Sequence, residues 1–278
     1  MMALVSNLKN SAQLRLKRVH KFKAKIEMFI EMGPYIVKTA QSPKELIESF
    51  KLRHEVFNQE FREIEGPGLD FDRYDYFFDH LIIIHKESNA IIGTYRLNCS
   101  KFSKESYTAL EFDLQFLKKF HEPYLELGRA CIKKEYRKGA VISLLWRGIA
   151  EYMKLSGSNI LFGCSSLKIN NARDAALVYK YLFDQKHVFS EYTSSPTKNF
   201  KFDNFESWFF FYRNGLNELQ IEEAEQLVPS LLKSYLKLGA KIAAIPAFDK
   251  DFDCVDLLTV LKKDDLSKSL ADKFKINR

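Results

Sequence analysis

The sequence predicts a mixed α+β fold, with a central, mostly antiparallel sheet flanked by helices. Three observations carry that expectation. The apolar runs His80–His85 and Ile91–Leu97 are joined by Glu87-Ser88-Asn89 and read as a hairpin. Two further runs, Tyr124 to Ile132 and Asn159 to Ser165, read as strands. Between them, Val141, Leu145, Ile149 and Tyr152 recur at helical spacing, which predicts an amphipathic helix from Val141 to Leu155. A layered α+β sandwich fits this order of elements.

Length and composition agree. The 278 residues suit one large domain, or one domain with an appended half-domain, and the 46% apolar content is ample for a core. The 24 Phe and 13 Tyr are many. They read first as a core rich in rings, and second as material for an acyl-chain tunnel. Cys99, Cys131, Cys164 and Cys254 lack the spacing of a zinc knuckle or a redox pair and read as small buried hydrophobes, so no metal is expected. No run of 18 apolar residues and no secretory leader is seen, which predicts a cytoplasmic address.

From the N-terminus, residues 1–34 form a basic segment. Lys9, Arg15, Lys17, Arg18, Lys21, Lys23 and Lys25 face only Glu27 and Glu31, so most of the net charge of +7 resides here. Leu8, Ala12, Val19, Phe22, Ile26 and Phe29 recur at steps of three, four or seven and predict a basic amphipathic helix. Such a helix suits an anionic membrane surface or an acidic protein. It equally suits packing on the domain with a solvated basic face. Nucleic acid is not an expected partner, because no binding motif accompanies the charge.

Residues 35–262 are the expected main domain. Tyr35 to Gln41 reads as a strand. Ser42-Pro43-Lys44-Glu45 is a capping box with proline in the first turn, and opens a helix to about Phe61. Residues 66–75 form a loop rich in Gly, Pro and Asp. Beyond the helix Ala172–Lys186 the pattern weakens. Glu218 to Leu238 reads as one or two helices broken near Pro229, followed by strands at Lys241–Ile245 and Val255–Leu261. Residues 263–278 read as a polar tail.

Chemistry is sought where charges interrupt apolar strands, since buried charges are costly unless paired or functional. Arg96 interrupts one run, and Glu126 and Arg129 another. The loop supplies Asp70, Asp72, Asp75 and Asp79. Glu126 and Arg129 would face opposite ways on a flat strand, but Gly128 permits a bulge that could turn both toward one cleft. The other reading places them as solvated charges at a sheet edge.

Four motifs occur in order: Leu52-Arg53-His54-Glu55-Val56-Phe57, Asp72-Arg73-Tyr74-Asp75, Gly93-Thr94-Tyr95-Arg96-Leu97 and Leu125-Glu126-Leu127-Gly128-Arg129. Together they resemble the autoinducer-synthase-like branch of the GNAT superfamily, and within it the bacterial ornithine-lipid N-acyltransferases. The runs Leu144–Tyr152, Phe162–Leu167 and Pro246–Phe252 add to the likeness, which covers about residues 35–262. The resemblance implies a GNAT fold. It implies a long-chain fatty acyl group, 3-hydroxylated or not, delivered as the phosphopantetheine thioester of acyl-carrier protein. It implies an amino-acid acceptor, ornithine by family, and no further cofactor. It carries functional positions onto Arg53, Phe57, Asp72, Asp75 and Arg96 for substrate, and onto Glu126 and Arg129 for catalysis, with Glu126 the favoured base.

One departure is informative. Where acetyl-CoA enzymes of the superfamily carry a pyrophosphate-binding turn, this chain has Tyr136-Arg137-Lys138-Gly139-Ala140-Val141. A carrier-bound pantetheine has no pyrophosphate, and Lys133, Lys134, Arg137 and Lys138 would suit an acidic carrier surface. The same residues also read as an ordinary basic turn. Two alternatives stay open: a homoserine-lactone synthase using S-adenosylmethionine, and a non-catalytic GNAT fold that binds a membrane or partner.

Overall fold

A computed structural model describes residues 19–137, 141–190 and 194–266. The chain forms two compact units: Met1–Asn98 with Gly128–Ser156, and Cys99–Leu127 with Gly157–Arg278. The mixed, largely antiparallel architecture expected from the sequence is present.

In the first unit, strands β1 (Phe29–Met32), β2 (Tyr35–Thr39), β3 (Asp79–His85) and β4 (Ala90–Cys99) pair antiparallel in sequence order. The second half of β5 (Tyr124–Ile132) lies beside β4, and just beyond it the Lys133 N–H donates to the Ile92 carbonyl at 2.8 Å. Helix α1 (Pro43–His54) starts at the expected box: Ser42 Oγ accepts from the Glu45 N–H, and the Glu45 carboxylate accepts from the Ser42 N–H. A π-helix follows over Glu55–Phe61. Helix α2 (Val141–Ser156) buries Leu145, Ile149 and Tyr152. Its Gly148 lets the helix sit close on the sheet: a Cβ there would stand 2.7 Å from a Leu81 methyl and 2.8 Å from one of Val37, so those side chains would have to shift.

The N-terminal helix departs from expectation only over its described end. Residues 1–18 lie outside the described residues, but the stretch expected to be helical up to Phe29 is irregular after residue 19 and becomes β1. The reason is local. The Asp79 carboxylate accepts the N–H groups of Lys25 and Ile26 at 2.8 and 3.0 Å, so those donors serve a side chain and not a helix. Tyr152 donates to the same carboxylate at 2.9 Å. Phe22, Ile26 and Met28 are buried while Lys23, Lys25 and Glu27 are exposed, which is the alternation of an extended chain.

In the second unit, the first half of β5 pairs parallel with β6 (Ile160–Leu167) over Tyr124↔Ile160, Leu125↔Leu161 and Glu126↔Phe162. Just beyond, a Cβ on Gly163 would stand 2.1 Å from the Leu127 carbonyl oxygen, so glycine alone fits that approach. Helices α3 (Ala172–Asp184), α4 (Phe205–Phe211), α5 (Glu218–Leu227) and α6 (Ser230–Leu238) share a core of Leu177, Tyr179, Leu182, Phe205, Tyr212 and Leu232. Strands β7 (Lys241–Ile242) and β8 (Ala247–Asp249) both pair with β9 (Cys254–Lys262), which pairs along all of β6. The break at Pro229 is as expected; α4 and β8 were not foreseen. Among the described residues no helix is long and apolar enough to cross a membrane.

The second unit buries an acidic cluster. Glu111, Cys164 and Asp256 bring ligand-type atoms within 4.8 Å of one another, and the Cys164 thiol donates to Glu111 at 3.4 Å. Burial, and then the carboxylates of Asp256 and Asp249, push the Glu111 pKa well above the usual range. A raised folded pKa stabilises fully below the unfolded value, and that stability is lost as pH rises through the folded value. Glu111→Gln should therefore flatten the loss of stability above about pH 4.5, where the ordinary slope for one such proton is about 1.4 kcal/mol per pH unit. Urea unfolding between pH 5 and 9 checks this; parallel curves for the two proteins would refute it.

Candidate active site

Five of the seven substrate and catalytic residues expected from the sequence converge in the first unit. Arg53, in the last turn of α1, is fully buried. Its Nε donates to Asp70 Oδ1 at 2.8 Å and its Nη1 to Asp75 Oδ1 at 2.7 Å. Arg96, on β4, donates through Nη1 to both oxygens of Asp72 at 2.8 Å and to Asp75 Oδ1 at 3.1 Å. Arg129, on β5, completes the set, with 3.3 Å contacts to Asp70 and Asp72.

The loop sequence explains how three carboxylates are held together. Asp72 caps a 3-10 turn over Arg73–Tyr76, accepting from the Tyr74 N–H at 2.8 Å. Asp75 reaches back to accept from the Asp72 N–H at 2.7 Å. This is the reciprocal arrangement of a capping box with an aspartate in the third helical position. The motif thus holds both carboxylates through its own backbone, and Arg96 donates to both.

Three guanidinium groups and three carboxylates balance. Burial alone would raise the Asp75 pKa, but Arg53 and then Arg96 hold it well below the usual carboxylate range. Asp70 is likewise held low against burial by Arg53 and Arg129. His80, paired across the sheet with Arg96, is pushed down to about 4, chiefly by burial, with Asp75 opposing. At neutral pH it is an uncharged wedge between the rings of Phe22 and Phe50. His80 was not anticipated as a member, and Asp70 was named only as one of the loop aspartates. Asp70 lay in the acidic loop but no spacing singled it out, and the only sign of His80 was its place at the start of a strand.

The backbone irregularity expected at Gly128 on β5 is seen instead at Arg129. Arg129 itself adopts φ +50°, the left-handed region that side chains disfavour, while Gly128 does not. That conformation costs of order 1–2 kcal/mol and is held by the two aspartates.

Glu126 belongs to the second unit. It is 4% exposed, and its Oε1 accepts the Thr108 N–H at 2.6 Å. It sits on the last registered pair of the parallel ladder, Glu126↔Phe162. Phe57 is half-buried on the π-helix. Of the basic turn, Lys134 is exposed and Lys133 half-buried, and Lys138 lies outside the described residues. Arg137 is engaged in a two-pronged pair with Glu60 of the π-helix at 2.7 and 2.8 Å, so its charge is locally matched.

These features lie largely within one segment. Residues 52–147 match the acetyltransferase (GNAT) domain family. The match covers about a third of the chain. It is similar to the L-ornithine N(alpha)-acyltransferase of Agrobacterium fabrum, with 27% identity over 249 residues, covering 84% of this chain and 83% of the relative. The enzyme of the same name from Brucella abortus is 28% identical over 246 residues, covering 83% and 85%. Among solved structures, the CoA-dependent acyl-homoserine lactone synthase BjaI aligns over 84% of each chain at 14% identity, with a TM-score of 0.45. Arg53, Asp70, Asp72, Asp75, Arg96, Glu126 and Arg129 all fall inside the GNAT match. The family match spans all four motifs read from the sequence.

Proposed function

We propose that this protein is an N-acyltransferase that moves a long-chain fatty acyl group, 3-hydroxylated or not, from acyl-carrier protein to the α-amine of ornithine in lyso-aminolipid synthesis. The observation that carries the reading is a buried carboxylate, Glu126, on the strand that also carries Arg129 into the arginine–aspartate network. The shared name of the relatives, each matched over most of its length, supports the acceptor.

In this mechanism Glu126 takes the proton of the attacking amine, directly or through water. The amine nitrogen bonds to the thioester carbonyl carbon, backbone N–H groups hold the oxyanion, and the carbon–sulfur bond breaks to release the pantetheine thiol. The network presents one open side. Arg53 and Asp75 are sealed, whereas Asp72 and Arg129 are partly accessible and joined by long 3.3 Å contacts. Arg129 suits the acceptor carboxylate and Asp72 its side-chain ammonium. Arg53, Asp75 and Arg96 act as positioning residues, and Phe57 offers an apolar wall. Lys133 and Lys134 are the cations left for an acidic carrier, with Arg137 partly neutralised and Lys138 next in sequence. The protein works in the cytoplasm, with its basic N-terminal segment in peripheral contact with anionic membrane.

Lipid mass spectrometry of cells expressing the chain tests the acceptor; a new N-acylated ornithine is expected, and a different acylated amine would displace ornithine. With purified protein, long-chain acyl-carrier protein should exceed the matching acyl-CoA in kcat/KM by at least about tenfold. A preference for acetyl-CoA would sink the donor assignment.

A further inference from the structure

Helix α4 has the sequence Phe205-Glu206-Ser207-Trp208-Phe209-Phe210-Phe211, and its rings divide between two faces. Phe205 and, just past the helix end, Tyr212 are buried, and Phe209 packs on Tyr179 of α3 with ring centroids 5.4 Å apart. Phe210 and Phe211 instead stand 64% and 63% exposed, and Trp208 37%. Phe183 of α3, 53% exposed, extends the patch, with its ring 6.3 Å from that of Phe209. Four large aromatic side chains facing water on one packed helix pair are costly and call for an occupant.

We propose that this face is a membrane-docking surface, inserting Trp208, Phe210 and Phe211 into the headgroup–acyl boundary of a lipid bilayer. Three observations favour a bilayer over a second copy of the chain. The exposed ring area is roughly 400 Å², taking about 200 Å² per ring, which is half of what each partner of a standard interface buries. The residues are Trp and Phe, the types that settle at that boundary, and not the mixed aliphatic set of a subunit core. Arg213 lies 4.2 Å over the Phe210 ring at the edge of the patch, a cation placed at headgroup level above an aromatic anchor. The charges flanking the helix, Lys201 and Arg213 against Asp203 and Glu206, cancel, so insertion and not counter-ion attraction supplies the affinity. The surface stands apart from the acyl-transfer reading and survives if the acceptor is not ornithine.

Fluorescence gives a direct test. The chain has two tryptophans, and Trp146 is buried in α2, so a change on vesicle addition reports Trp208. The full chain is titrated with phosphatidylcholine vesicles, with and without phosphatidylglycerol, at low and high salt, using brominated lipids as quenchers. A blue shift and quenching by shallow bromines are expected, with weak salt dependence on phosphatidylcholine alone, where the basic N-terminal segment has no anionic partner. The W208S/F210S/F211S variant, which leaves Phe205, Phe209 and Tyr212 intact and is compared with wild type by vesicle co-sedimentation because it lacks the Trp208 reporter, should keep its melting temperature and lose about a hundredfold in partitioning. Overturning results are no binding, binding that salt abolishes and the triple variant retains, or a wild-type dimer that the variant dissolves.

Discussion

Glu126→Gln is expected to lower turnover by about 10²–10⁴-fold with little change in stability, the range for losing a positioned general base. The glutamine keeps the shape and can still accept the Thr108 N–H, now held at 2.6 Å, so the strand and its neighbours should not rearrange. What it loses is the capacity to take a proton. An α-amine with an ordinary pKa near 7.7–8.0 is mostly protonated at pH 7, so the variant should regain part of its rate as pH rises and free amine accumulates. A wild-type profile flatter than that of the variant above pH 7 is the expected signature. Full activity in a folded Glu126→Gln protein would remove Glu126 as the base, and the acyl-transfer reading would then need another proton acceptor.

Arg53→Met is expected to destabilise the first unit by about 3–5 kcal/mol at neutral pH, because it strands Asp70 and Asp75 as buried charges without their main partner. The pH dependence distinguishes this from a packing defect. Both carboxylates have depressed pKa values in the folded wild-type protein, so their contribution is present above the ordinary carboxylate range and is lost as pH falls through the folded values. In the variant they accept protons more readily. The gap to wild type should therefore be widest near pH 7 and narrow toward pH 4. A gap independent of pH in urea unfolding would mean that the cost is cavity and side-chain volume, not charge. Arg53→Lys should recover only part of the loss, since one ammonium cannot serve two carboxylates in the forked geometry.

Much of the frame could be read from local chemistry. The Ser42–Glu45 box, the Glu87-Ser88-Asn89 turn and the helical run from Val141 act through neighbours in sequence, and each is where it was expected. The Asp72–Asp75 motif was legible for the same reason. What escaped depends on partners remote in sequence. The N-terminal run Phe22-Lys23-Ala24-Lys25-Ile26-Glu27-Met28 satisfies both a helical and a two-residue period, and the tie is broken by Asp79, more than fifty residues away. The left-handed residue on β5 was assigned to the available glycine, whereas ion pairs hold Arg129 there. Arg137 looked like a free cation until Glu60 came opposite it. Helix α4 was missed because its consecutive rings follow no period; four of its seven residues are Phe.

Strand β5 has one further consequence, for the order in which the chain can fold during synthesis. Its first half belongs to one compact unit and its second half to the other, and the first unit is closed only by Gly128–Ser156. The arginine–aspartate cluster cannot be completed until Arg129 has left the ribosome, so Arg53 waits with its aspartates through all of the intervening segment. The second unit waits longer, since β9, which pairs with β6, β7 and β8, is made well after β5. A nascent chain halted near residue 120 would expose the outer edge of β4, because β5, which covers it, has not yet been made. It is there, and not in the finished protein, that aggregation is most to be expected.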